Sequence, residues 1–230
     1  MTEAQLRAEL VVRAQELDTS GLNRGSSGNL SARLGDAVLV TPSGVPAGKL
    51  TPDMLAKMPL DRSDGTYDGP LKPSTEWRFH LDLMRARPDF NAIVHTHAPF
   101  STILAIARKP IPAVHYMMAA FGGPDIRCSG YATYGTAELS AEVLGAIKDR
   151  NGCLMANHGM IVGGPNLARA TWLAHELEAL AHQYYHVLQI GGGHILSAEQ
   201  LADTAKGFAS YGVQDRPKAQ SQDQIPAPRA

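Results

Sequence analysis

Ala92-Ile93-Val94-His95-Thr96-His97-Ala98-Pro99 is the stretch on which the reading of this chain turns. Its first six residues are apolar or β-branched apart from two histidines, the signature of a strand. Residues i and i+2 of a strand share a face, so His95 and His97 present two imidazoles to one point. Phe100 to Arg108 then reads as a helix, and Pro110-Ile111-Pro112 interrupts the chain. Upstream, a helix opens around Pro73-Ser74, carries Trp77, His80, Leu81 and Met84 on one face, and ends before Pro88.

Further towards the start, Leu30 to Leu34 and Ala37 to Val40 flank the turn signal Gly35-Asp36 and predict a hairpin, followed by the tight turn Thr41-Pro42-Ser43-Gly44. Leu6, Leu10, Val11 and Leu17 recur at helical spacing, and Thr2 with Gln5 has the spacing of a capping box, giving a first helix over Glu3 to Leu17. Thr51-Pro52 starts a short helix, and Asp61 to Gly69 is a loop. Downstream, Glu138 to Lys148 is helical, and two short strands, Cys153 to Met155 and Met160 to Val162, surround Asn157-His158-Gly159. Asn166 caps a long helix to about Gln189, and Ser197 with Gln200 begins a last one ending near Tyr211. Strands and helices mix without strict βαβ alternation, so a single domain of sheet plus helices is expected over residues 1–212. The Pro/Gln-rich residues 213–230 are expected to form a mobile tail.

Composition narrows the classes. The chain has 230 residues, 44% hydrophobic and 19% charged, enough for one sizeable core. A formal net charge of −1 supplies no basic field for nucleic acid or an anionic membrane, and no run approaches a bilayer span. Cys128 and Cys153 stand far apart, which excludes a thiolate zinc ribbon and fits reduced thiols. With no signal-peptide pattern at the start, the expected location is the cytoplasm.

His158, in its turn, can add a third imidazole to His95 and His97, with Gly159 freeing the backbone to aim it inward. Three neutral imidazoles and one open position suit a catalytic zinc ion; manganese, cobalt or iron also accept three nitrogens. A chance alternation of two histidines stays open on spacing alone. Lys72-Pro73-Ser74-Thr75-Glu76 offers hydroxyls and N–H groups at a helix start, and Gly28-Asn29 and Ser43-Gly44 are two further small-residue loops able to meet an anion. Ordinary capping by Ser74 is the competing reading. Glu76, in the first helical turn, is either a general base beside a metal or a solvated carboxylate. His175, His182 and His186 lie on the long helix without a His-Glu-x-x-His pattern, so a polar face or subunit contact is expected there.

Taken together, these segments resemble the class II aldolase/adducin family, in particular its L-fuculose-1-phosphate aldolases. The resemblance runs through Gly21-Leu22-Asn23 to Gly28-Asn29-Leu30-Ser31, Thr41-Pro42-Ser43-Gly44, Pro73-Ser74-Thr75-Glu76-Trp77-Arg78-Phe79-His80, His95-Thr96-His97, Ile111 to Met117, Tyr131 to Thr136 and Asn157-His158-Gly159. It implies an α/β fold with a central, mostly antiparallel sheet flanked by helices, and a homotetramer with zinc sites at subunit interfaces. It also implies His95, His97 and His158 as zinc ligands, with Glu76 as acid/base and possible fourth ligand in the resting site. Ser26, Gly28, Asn29, Ser43, Gly44, Ser74 and Thr75 fall at phosphate-binding positions. Tyr116, reaching into a neighbour's site, handles the aldehyde-side proton, and Phe208 and Tyr211 close over the site. Ser26 replaces an expected threonine, and Tyr134 an expected phenylalanine at the aldehyde end.

The implied reaction is cleavage of a sugar phosphate, a ketose 1-phosphate, to dihydroxyacetone phosphate and an aldehyde. Lactaldehyde from fuculose 1-phosphate is the first expectation. Ribulose 1-phosphate and the 5-deoxy- or 5-methylthio-pentulose phosphates follow. Ribulose-phosphate 4-epimerases share the implied fold but typically carry aspartate at the position of Glu76. Dehydratases and decarboxylases of the family are further alternatives, and an adducin-like scaffold would not need the three histidines.

Overall fold

Why β4 (Ala92–Thr96) can be buried along its whole length becomes clear from its neighbours: β1 (Asn29–Leu34) lies on one side of it and β8 (Gly159–Gly164) on the other. The computed structural model describes residues 1–208. The central sheet has the order β3-β2-β1-β4-β8-β7, with β2 at Ala37–Val40, β3 at Ala56–Pro59 and β7 at Gly152–Met155. Every pairing in it is antiparallel. A two-residue pair, β5 (Ile111–Pro112) with β6 (Asp125–Ile126), stands apart.

Helices cover both faces. One layer holds α1 (Glu3–Thr19), α3 (Pro99–Ile106) and α5 (Leu167–Gln189), whose apolar residues pack with Leu30, Ala32 and Val94. The other holds α2 (Trp77–Ala86) and α4 (Ala137–Ala146), packed with Val38, Val40 and Ile93. The period-2 alternation of β4 therefore sends Val94 to one layer and Ile93 to the other, and a strand buried on both faces shows no polar alternation. The last helix, α6 (Ala198–Phe208), carries the reciprocal Ser197/Gln200 cap. The expected end near Tyr211 and the 213–230 tail lie outside the described residues. No described helix is long and apolar enough to cross a membrane.

The capping box of Thr2 with Gln5 forms, and Asn166 caps α5 by accepting from the Arg169 amide at 2.8 Å. The expected short helix at Thr51-Pro52 is a 3₁₀ turn, Pro52–Met54. The start of α2 differs more. Residues 72–74 are not helical but pair with the 41–43 loop: the Ser74 amide donates to the Thr41 carbonyl at 2.9 Å and the Ser43 amide to the Lys72 carbonyl at 3.2 Å. The helix begins only at Trp77, which places Glu76 at its N-cap rather than in its first turn.

Candidate metal centre

Three elements converge at one end of β4. His95 is on β4, His97 follows it directly, and His158 sits in the turn between β7 and β8. Glu76 reaches them from the α2 N-cap. His95 Nε2 lies 3.0 Å from His97 Nε2 and 3.3 Å from Glu76 Oε2, while His158 Nε2 lies 3.2 Å from Glu76 Oε1. The three rings stand 4.8–4.9 Å apart, close to mutually perpendicular. Among the described residues, these four are the one such group of His, Cys, Asp or Glu side chains, with ligand atoms all within 4.8 Å of one another.

The donor set fits a divalent cation. His95 Nδ1 sits 2.8 Å from the Met160 carbonyl, which can only accept, so Nδ1 carries the proton and an unprotonated Nε2 faces the cluster. Glu76 Oε1 is buried with no hydrogen-bond partner. Such a concentration of inward lone pairs is costly without a cation to receive them. Zinc–nitrogen bonds of about 2.0–2.1 Å at tetrahedral angles would space ligand atoms by about 3.3–3.4 Å, near the separations seen.

Charge follows the same geometry. Burial pushes the Glu76 carboxyl up, but the positive charge that His95 and His158 carry when protonated more than offsets this and holds it well below the usual carboxylate range. Burial, reinforced by His95 and His158, pushes His97 down to about 4.

Gly159 acts differently from the expectation. Its backbone is ordinary, and Asn157 is the left-handed residue of the turn at φ 55°. What Gly159 provides is space: a Cβ there would lie 2.4 Å from the Thr96 carbonyl oxygen and 3.0 Å from the His97 ring. Gly159→Ala is therefore expected to lower stability by about 1–3 kcal/mol through overpacking and to weaken metal binding, checked by denaturation and metal titration.

A cavity of about 340 Å³ opens above Glu76, His97 and His158. Ser26, Gly28, Asn29, Ser43, Gly44, Ser74, Thr75 and Tyr134 are among the residues that line it. The Ser26, Ser43 and Thr75 hydroxyls have no hydrogen-bond partner among the described residues and are available to a ligand. The Ser43 and Ser74 amides are already committed. So is the Asn29 side chain: its Nδ2 donates to Ser74 Oγ and to Glu76 Oε2, both at 3.0 Å. Ser27, Pro42, Tyr131, Ala132 and Asn157 complete the lining and were not expected as site residues, although Tyr131 lies in the same block as Tyr134. Among the described residues no lysine or arginine lines the cavity, so these residues would meet an anion there with neutral donors.

Tyr116 and Phe208 are not in this lining. Their rings lie 6.4 Å apart beside the 3₁₀ segment Tyr116–Phe121, and Tyr116 is 48% exposed. Tyr211 lies outside the described residues. Among the described residues the histidines of α5 belong to no metal-binding group: His182 stacks on Phe100 at 3.8 Å and lies 5.0 Å from His186, and His175 approaches Glu16 at 3.6 Å. Glu178 on the same helix caps α3, accepting from the Phe100 and Ser101 amides at 2.7 and 2.9 Å.

Residues 8–185 match the family model described as Class II Aldolase and Adducin N-terminal domain. The chain belongs to this family. Among family relatives, the 5-methylthioribulose-1-phosphate/5-deoxyribulose-1-phosphate aldolase of Rhodospirillum rubrum is 50% identical over 207 residues, covering 90% of this chain and 92% of that one. The L-fuculose phosphate aldolase of Escherichia coli K12 is 42% identical, covering 93% and 98%. A solved L-fuculose 1-phosphate aldolase superposes with a TM-score of 0.86 at 33% identity, covering 91% and 98%. This class II aldolase is accordingly a metal-dependent lyase, with the Glu76/His95/His97/His158 group as its metal-binding candidate.

Proposed function

We propose that this class II aldolase cleaves a ketose 1-phosphate to dihydroxyacetone phosphate and a small aldehyde, with 5-methylthioribulose 1-phosphate or 5-deoxyribulose 1-phosphate ahead of L-fuculose 1-phosphate. The observation that carries the reaction is Glu76, buried among three inward imidazoles at the floor of a cavity whose rim offers the free Ser26, Ser43 and Thr75 hydroxyls. The 50% identity to the methylthioribulose enzyme, against 42% for the fuculose enzyme, supports this order of substrates, which differs from the expectation that put fuculose first.

His95, His97 and His158 hold the metal, for which zinc is the first candidate and Mn²⁺, Co²⁺ or Fe²⁺ the others; when bound it supplies Lewis acidity to the substrate carbonyl. The rim hydroxyls, with the backbone at Gly28 and Gly44, bind the phosphate and so fix C3 beside Glu76. As the C3–C4 bond breaks, its electron pair stays with the C3 fragment and the C4 hydroxyl loses its proton as the aldehyde departs. Glu76 delivers a proton to C3, completing dihydroxyacetone phosphate.

Tyr116 takes the C4 hydroxyl proton in a neighbouring subunit's site, with Phe208 closing over it. The exposure of Tyr116 and its position outside its own chain's cavity support this reading of a homotetramer with shared sites. Mixed assemblies made from equal amounts of Tyr116→Phe and Glu76→Gln chains should then regain activity in about a quarter of sites; activity no greater than the two variants alone would place both residues in one chain's site.

The reaction is tested by following dihydroxyacetone phosphate release from a panel of ketose 1-phosphates, with and without chelator. Chelator-sensitive release, fastest with the 5-methylthio or 5-deoxy sugar, is expected. Release fastest from fuculose 1-phosphate would reverse the substrate order. No release from any sugar by metal-loaded protein would reject the aldolase assignment in favour of the epimerase or dehydratase chemistry of the same fold.

A further inference from the structure

Behind the acid/base lies a polar chain that runs against the apolar packing of α2. His80 has 0% exposure. Its Nδ1 meets Ser31 Oγ at 2.7 Å, and its Nε2 meets Asn29 Oδ1 at 2.5 Å. Asn29 in turn gives one Nδ2 proton to Glu76 Oε2 and the other to Ser74 Oγ, which also accepts from the Glu76 amide at 3.2 Å. Burial, with His95 adding to it, pushes His80 down to about 3, so the ring is neutral and has a single N–H to place.

The location of that proton decides the rest. With Nε2–H donating to Asn29 Oδ1, the amide must turn its NH₂ towards Glu76. With the proton on Nδ1, Nε2 would ask for the amide NH₂ and turn Oδ1 against the carboxylate, an acceptor facing an acceptor. The Asn29 amide, whose NH₂ is held by Glu76 Oε2 and Ser74 Oγ, presents Oδ1 to the ring and so matches the first arrangement, in which the rotatable Ser31 hydroxyl can donate to Nδ1.

We propose that His80 is a positioning residue for Glu76, acting through the Asn29 side-chain amide, with the Ser31 hydroxyl satisfying its second ring nitrogen. The inference rests on Glu76 as the acid/base proposed above. It gives the Asn29 side-chain amide the task of holding a carboxylate oxygen. It also explains a histidine on the buried face of a helix where packing alone would favour an apolar residue.

The test separates positioning from packing. Glutamine can place its amide nitrogen where Nε2 lies and keep the donor, whereas leucine removes it. Hydrogen–deuterium exchange at C3 of dihydroxyacetone phosphate without aldehyde isolates the proton transfer. His80→Leu should lower the exchange turnover by about 10–100-fold, with KM for dihydroxyacetone phosphate and metal stoichiometry unchanged, and His80→Gln should restore it to within a few-fold of the parent. If His80→Leu does not fold, Ser31→Ala serves in its place, with a smaller fall in exchange expected. In metal-free, ¹⁵N-labelled protein, the Asn29 side-chain NH₂ signals should shift in His80→Leu and in Glu76→Gln but hold their position in His80→Gln. Unchanged exchange in His80→Leu, or a His80→Gln variant as impaired as His80→Leu, would overturn the proposal. A parent enzyme without exchange would instead count against the aldolase reading, and the NMR signals of the metal-free protein would still decide whether His80 governs Asn29.

Discussion

Glu76→Gln lowers turnover by about 10²–10⁴-fold, the usual worth of a positioned acid/base group, while metal and substrate binding stay close to those of the parent. Glutamine keeps the size of the side chain and can still offer an oxygen to Asn29 Nδ2, so the 3.0 Å contact that holds Oε2 survives. The three imidazoles also remain, with His95 still fixed by the Met160 carbonyl. What disappears is the group able to give and take a proton at C3. The measurement is steady-state cleavage alongside metal analysis and binding of dihydroxyacetone phosphate. Turnover within tenfold of the parent would remove Glu76 from the acid/base role, and loss of metal would make it primarily a ligand.

Removing the metal abolishes cleavage and loosens the fold at the same time. Glu76 Oε1 is buried without a partner and the Nε2 of His95 faces the same point, so the cation that receives these lone pairs binds the folded state alone. At 100 times its Kd such an ion adds about 2.7 kcal/mol to stability, visible as a higher denaturation midpoint on adding Zn²⁺ back to chelated protein. His95→Ala should lose both the activity and this metal-dependent gain. Full activity in protein shown to be free of metal would overturn the assignment of the centre.

Much of this site could be read along the chain because its pattern is local. His95 and His97 share a face through the two-residue period of a strand, and Asn157-His158-Gly159 announces a turn between two short apolar runs. The hairpin of β1 and β2, the capping boxes and the long α5 follow from equally short-range signals. β3 was not legible: Ala-Lys-Met-Pro has little β preference, and the strand exists because β2 offers it an edge to pair with.

The start of α2 at Trp77 lies later than its local residues suggest, for a similar reason. Lys72-Pro73-Ser74-Thr75-Glu76 has the residues of a helix N-terminus, yet the Ser74 amide finds the Thr41 carbonyl, and pairing with that distant loop outweighs local preference. The work assigned to His80 and Asn29 lay beyond local reading altogether, since their hydrogen bond joins residues 51 positions apart. Sequence by itself determined which residues of this protein can bind a metal and carry a proton, because residue chemistry and strand period are local properties. Only the tertiary structure decided which polar atoms are buried and against what, because a hydrogen bond between an α2 histidine and a β1 asparagine exists only once helix and sheet have packed.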